Sequence, residues 1–111
     1  MRGTDRVPRA SLFLMMALLE SPTEWRYGLE LGKEAHLTSG TLYPALRRLE
    51  RDGIVESRWE EIDPREEGRP RRRFYRLTGA GEAVAERART EQIERLGGRP
   101  KPITSPRGAF A

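Results

Sequence analysis

The residues that can do chemistry in this chain fall into two clusters, one led by hydroxyls and one made of guanidinium groups. The first is Ser39-Gly40-Thr41, followed by Tyr43, Arg47, Arg48 and Arg51. Small hydroxyl residues bond oxygen anions at close range, and arginine forks match a phosphate or the edge of a guanine. The second cluster spans residues 65 to 76, where Arg65, Arg69, Arg71, Arg72, Arg73 and Arg76 stand against only Glu66 and Glu67. Both patterns suit contact with phosphates, as on a nucleic acid or an anionic membrane surface.

Composition points the same way and removes other chemistries. The 111 residues carry 21 basic and 17 acidic side chains, a formal net charge of +4. Nineteen of the basic residues are arginine and two are lysine, a bias that a GC-rich coding genome produces as readily as selection for bidentate contacts. There is no cysteine, which excludes disulfides, thiolate metal sites and cysteine nucleophiles. A single histidine, His36, cannot build a metal site alone, so no metal and no cofactor are expected. "GLELGK" is not a phosphate-binding loop, no Ser/His/Asp set converges, and Glu60 and Glu61 fall on alternating strand faces. An enzyme is not expected.

These clusters need a scaffold, and the length allows one domain with a modest core. "LFLMMALL" at 12–19 falls short of the roughly 20 residues that span a bilayer. "ESPTEW" after it is a turn rather than a signal-peptide cleavage site, so the expected location is the cytoplasm. A first helix is predicted from Pro8 to Glu20, apolar nearly all round and needing enclosure by other elements or by a second chain. A second fits residues 24–36, where Tyr27, Leu31 and Ala35 recur every four positions. The third carries the hydroxyl cluster: Thr38 or Ser39 caps it, Leu42, Leu46 and Leu49 form its buried stripe, and Asp52-Gly53 end it. Pro44 bends its solvent-facing start. "IVESRWEEI" and "RRRFYRLT" alternate as two strands of a hairpin whose tip is "DPREEGRP". A closing helix, capped by Thr78, occupies 79–96, so the domain runs over residues 1–96. Residues 97–111 are too rich in glycine and proline for a packed element and read as a disordered tail.

Three helices, a two-stranded hairpin and a closing helix make the order of an α+β winged helix-turn-helix. In that arrangement the third helix enters a major groove, and its first turn, Ser39-Gly40-Thr41, lies where phosphates and base edges come close. Tyr43 adds reach, and Arg47 follows one turn later. The wing arginines reach phosphates or a minor groove. Trp25, Trp59, Phe74 and Tyr75 read first as packing residues.

The chain also resembles the PadR-like transcriptional regulators, through "YGLEL" in the second helix, "SGTLYPALRRLERDGIVES" across the third, and "EGRPRRRFYRLTGAGE" through the wing. The resemblance implies a homodimeric winged-helix repressor or activator, more often a repressor, that binds double-stranded DNA at an inverted-repeat operator. Carried over residue by residue, Ser39, Thr41, Tyr43 and Arg47 are implied as recognition-helix contacts, and Arg69, Arg71 and Arg72 as wing contacts. The first and last helices are implied as the dimer interface, placing Leu12, Leu14, Met15, Val84 and Ala88 there. The short C-terminus is similar to that of the family's short subclass. No tryptophan stands in the last helix, so an effector pocket does not carry over and a small-molecule effector stays unidentified. From another class, a winged-helix adaptor with only non-specific DNA affinity fits the same pattern. Salt dependence and operator preference separate the two.

Overall fold

Eleven residues from Arg9 to Leu19 form α1, and this helix is the axle of the domain. A computed structural model describes residues 7–98. The order that follows is β1 (Arg26–Tyr27), α2 (Gly28–Glu34), α3 (Ser39–Arg51), β2 (Val55–Trp59), α4 (Pro64–Glu67), β3 (Arg73–Leu77) and α5 (Gly79–Arg95). α1 packs on α2, α3, α5 and β3. Leu14, Met15, Ala17, Leu18 and Leu19 are buried there, meeting Leu31, Leu42, Leu46, Leu49, Val55, Tyr75, Leu77 and Ala85 in one core. Each large side chain so enclosed contributes about 1.5–3 kcal/mol.

Leu14 and Met15 therefore belong to this chain's own interior, at 0% and 1% exposure. That corrects the expectation that they wait for a second chain: the enclosure the apolar helix needs comes from α3, α5 and the sheet. Ala88 is buried in the same core, whereas Leu12 and Val84 stay partly exposed.

The sheet has three strands in the order β1-β3-β2, all antiparallel, rather than two. Residues 26 and 27, expected inside the second helix, pair instead with Tyr75 and Phe74. The aromatic side chains favour this: Tyr27 meets Phe74 edge to face at 6.2 Å. Gly28 then starts α2 hard against Tyr75, whose Cε1 lies 3.1 Å from where a Cβ would stand. The hairpin connection also differs from a plain loop. Asp63 accepts the Arg65 amide at 3.0 Å, Pro64 opens the helical turn and Gly68 closes it at φ 72. These are ordinary helix start and stop signals compressed into four residues.

α3 ends in a Schellman turn. Gly53, at φ 75, donates to the Glu50 carbonyl and Ile54 donates to the Leu49 carbonyl. α5 begins against this turn. The Thr78 hydroxyl donates to the Gly53 carbonyl at 2.6 Å and accepts the Gly81 amide at 2.8 Å, capping α5 and tying it to the end of α3. Gly97, at φ 85, closes α5, with the Gly97 and Gly98 amides bonded to Glu94 and Ile93. Helix closure thus takes up the first two residues of the expected tail, and its remainder and the expected frayed start at 1–6 lie outside the described residues. Among the described residues, no helix is long and apolar enough to cross a membrane.

The close packing at Gly81 is testable, because a Cβ there would lie 1.8 Å from the Ile54 carbonyl oxygen, whereas one at Gly79 meets nothing within 4 Å. Gly81→Ala is expected to destabilise the fold by about 1–3 kcal/mol in urea unfolding. Gly79→Ala should be neutral or slightly stabilising in the same measurement.

Candidate nucleic-acid interface

α3 is held by one face only. Leu42, Ala45, Leu46 and Leu49 are buried, while Ser39, Gly40, Thr41, Pro44, Arg47, Arg48 and Arg51 are exposed. Thr38 occupies the N-cap position but does not cap with its hydroxyl, which lies 3.5 Å from the Thr41 hydroxyl instead. Its carbonyl accepts the Thr41 and Leu42 amides. Among the described residues the Ser39 and Gly40 amides have no acceptor, so the positive end of the helix dipole presents free donors to solvent. Pro44 has no amide to give to the Gly40 carbonyl, and that turn is exposed, where water or a ligand can satisfy it.

Before α3, His36 makes the turn from α2 at φ 58, with its amide on Lys33 and the Leu37 amide on Gly32. Gly32 lies under Leu42, and its missing side chain lets α2 and α3 approach. The two helices and this turn aim the first turn of α3 outward.

Arg47 and Arg48 make no hydrogen bond or ion pair among the described residues, and Arg51 reaches only its neighbour Asp52, at 3.4 Å. Tyr43 is half-buried against the core. Tyr43, Arg47 and Glu50, at i, i+4 and i+7, share the flank of α3 that faces the hairpin. There the Ser57 hydroxyl donates to Glu50 at 2.6 Å and Arg73 lies 3.8 Å from the same carboxylate.

The hairpin arginines separate by face. Strand alternation and the register Ser57↔Tyr75, Trp59↔Arg73 put Arg71, Arg73 and Trp59 on the side of α3. Arg71 donates Nε to the Ile62 carbonyl at 3.0 Å and is otherwise exposed, beside Trp59, Pro64 and Pro70. Arg72 lies on the opposite face, stacked on the Tyr27 ring at 5.0 Å. On that face Arg58 and Arg76 lie 4.6 Å and 4.4 Å from the Trp25 ring, and Arg76 also donates to Glu56 at 2.8 Å. Such stacks hold a guanidinium in place while leaving its edge donors free.

Arg69 is committed inside the wing. Its two amino groups donate to both oxygens of Glu60, at 2.8 Å and 3.0 Å, and Glu60 also accepts the Arg72 amide. The sequence-based expectation treated Arg69 as a free wing contact. The structure gives it a bidentate internal partner across the hairpin, which is the geometry arginine favours when a carboxylate is within reach. The sequence places Arg73 only among the phosphate-reaching arginines and Glu60 only on a strand face, with no partner for either. The i, i+7 relation of Tyr43 to Glu50 was the available signal for the α3–hairpin contact, but nothing local marks an ion pair across nine residues.

Among the described residues no three metal-ligating side chains gather. A model of the transcriptional regulator PadR-like family matches residues 15–87 of the chain. The chain belongs to this family. Over 74 residues it is 42% identical to the transcriptional regulator Rv3488 of Mycobacterium tuberculosis, covering 62% of this chain and 64% of that protein's length. A PadR-like transcription factor from Bacteroides fragilis shares the fold with a TM-score of 0.63 at 30% identity, covering 78% of this chain and 82% of that one. A PadR family regulator from Clostridium difficile does so with a TM-score of 0.62 at 27% identity, covering 80% and 94%. In this PadR-like protein the matched stretch takes in the whole of α3 and the wing.

The Arg69 fork holds the Glu60 carboxyl at about 2, below its ordinary 4.5. Ionised Glu60 therefore favours the ordered wing, fully so above pH 4.5, and that stabilisation is lost as pH falls toward about 2. A carbon-detected NMR titration should show the Glu60 carboxyl midpoint at about 2, moving up toward the ordinary value in Arg69→Gln. A wild-type midpoint at 4.5 would remove the pair from solution.

Proposed function

We propose that this PadR-like protein is a sequence-specific DNA-binding transcriptional regulator that works in the cytoplasm as a homodimer on an inverted-repeat operator, and that it represses by occupying promoter DNA. One observation carries the reading: α3 buries its leucine stripe and, among the described residues, leaves the Ser39 and Gly40 amides, the Ser39 hydroxyl and Arg47 without partners. A helix so mounted fits the major groove of duplex DNA, its N-terminus against the phosphates. Ser39 and Thr41 are assigned to backbone contacts, and Tyr43 and Arg47 to the groove. Arg71, on the same side, is assigned to a phosphate beside the groove. Arg72 joins from the outer sheet face with its free edge donors, and Arg69 supports the wing rather than the duplex.

The dimer reading rests on the outer flanks of α1 and α5. Leu12 and Val84 are partly exposed, Phe13 is 38% exposed, and Leu96, at the end of α5, is 79% exposed. Pairing these flanks would bury them, and an inverted-repeat site requires the two recognition helices of the dimer to stand about 34–36 Å apart.

A competition titration of the full chain against its own upstream DNA and a scrambled duplex, at two salt concentrations, tests the function. Preference that survives added salt is the expected result. Equal, salt-sensitive binding would favour the adaptor reading. On a selected operator, Arg47→Ala should cost about 1–3 kcal/mol and relax the preference at one base pair. Arg71→Ala should weaken all sequences alike and lower the salt slope by about 0.9. An Arg71→Ala variant with unchanged slope would count against the wing contact.

A further inference from the structure

On the α3 side of the hairpin, core packing covers only its base. Val55, Tyr75 and Leu77 are buried, while Trp59, at the far end of β2, is 55% exposed. Between these levels a polar bridge crosses from α3 to both strands. Glu50 Oε2 accepts the Ser57 hydroxyl of β2 at 2.6 Å and lies 3.8 Å from Arg73 of β3. The Arg73 guanidinium continues outward to stack on the Trp59 ring, 4.7 Å from its centroid. One edge of Arg73 thus faces the carboxylate and one face meets the indole. Burial pushes the Tyr75 phenol up, and the Arg73 cation partly offsets that.

We infer that Glu50, Ser57 and Arg73 form a clamp that sets the angle of the wing against the recognition helix. In this assignment Arg73 is a positioning residue, unlike the arginines proposed to contact DNA. The inference rests on the regulator reading above for its purpose, since the clamp fixes the separation between Arg47, one turn before Glu50 on α3, and Arg71, two residues before Arg73. Helix and wing then meet one half-site as a single rigid unit. A cation in the middle of an arginine-rich strand is otherwise the natural choice for a phosphate contact. Here its stacking face and one edge already have partners within the chain.

The test uses the full chain in a Trp25→Phe background, so that Trp59 is the single indole, and compares Arg73→Gln, Arg73→Lys and Glu50→Gln. Circular dichroism first establishes that each variant is folded. Without DNA, Trp59 in Arg73→Gln should emit further to the red and be quenched more strongly by acrylamide. Glu50→Gln, which keeps the side chain's shape, should move the same way by less, and Arg73→Lys, which keeps the charge, should recover part of the parent signal. On an operator selected from random duplexes, hydroxyl-radical footprinting of Arg73→Gln should keep the protection opposite α3 and lose that of the wing. Affinity should fall about tenfold, with the bases preferred by α3 unchanged.

Unchanged quenching together with an unchanged wing footprint would overturn the clamp. So would a uniform affinity loss with the salt slope lowered by about one and Trp59 unmoved, which would make Arg73 a phosphate contact. A parent protein that selects no operator would defeat the regulator reading and the register role with it. The quenching comparison in free protein would then still decide whether the clamp exists.

Discussion

Everything this domain presents to solvent follows from the way α3 is held along one stripe. Leu42, Leu46 and Leu49 are at most 2% exposed and pack with α1, while the turn at Gly53 and Ile54 fixes the far end of the helix. A helix anchored along one stripe and at one end has little freedom to roll. Its opposite face, with Thr41, Arg47 and Arg48, is therefore a rigid surface. The latch between Thr78, Gly81 and the Ile54 backbone ties the start of α5 to the end of α3. Shape at such a surface is as important as charge, because specificity in a groove needs side chains held to within a fraction of an ångström.

The arginines show how one residue type is divided among several tasks. Arg69 closes the wing on Glu60, Arg76 pairs with Glu56 over Trp25, and Arg73 spans Glu50 and Trp59. Arg47 and Arg48 have no internal partner among the described residues. The guanidinium group supports these uses because it offers both a flat face for aromatic stacking and a fork of donors at its edge. Sequence composition counts these residues alike, and the carboxylates and rings around each one separate them.

Much of the fold was legible in the sequence. The leucine spacing of α3, the Asp52-Gly53 stop, the alternation around Val55 and Tyr75, and the Thr78 cap are local signals, and each lies where local physics puts it. The misses have physical causes. Tyr27 carries the same four-residue repeat as the helix after it, but pairing of residues 26 and 27 with β3 overrides that periodicity. Leu14 and Met15 of α1 are enclosed within the chain while Phe13 on its outer flank is not, and periodicity alone cannot say whether a partner is the same molecule or another. At the candidate site, the exposed face of α3 was legible from the leucine stripe. The partners of the wing arginines were not, because the ion pairs join residues distant in sequence, between the arms of the hairpin or from β3 to α3, and depend on register.

The short α4 turn has a consequence beyond closing the hairpin. Glu61, Asp63, Glu66 and Glu67 gather toward the wing's tip with Arg65, where Arg69 neutralises Glu60, whereas Arg58, Arg71, Arg72, Arg73 and Arg76 lie along its arms with the one acidic Glu56. The wing is therefore polarised along its length, negative at the end and positive toward the helices. A polyanion approaching from solution exerts a torque on such an element, repelling the tip and drawing in the base. That torque turns the molecule before any contact forms, so orientation is selected during diffusion and fades as ions shorten the field's range.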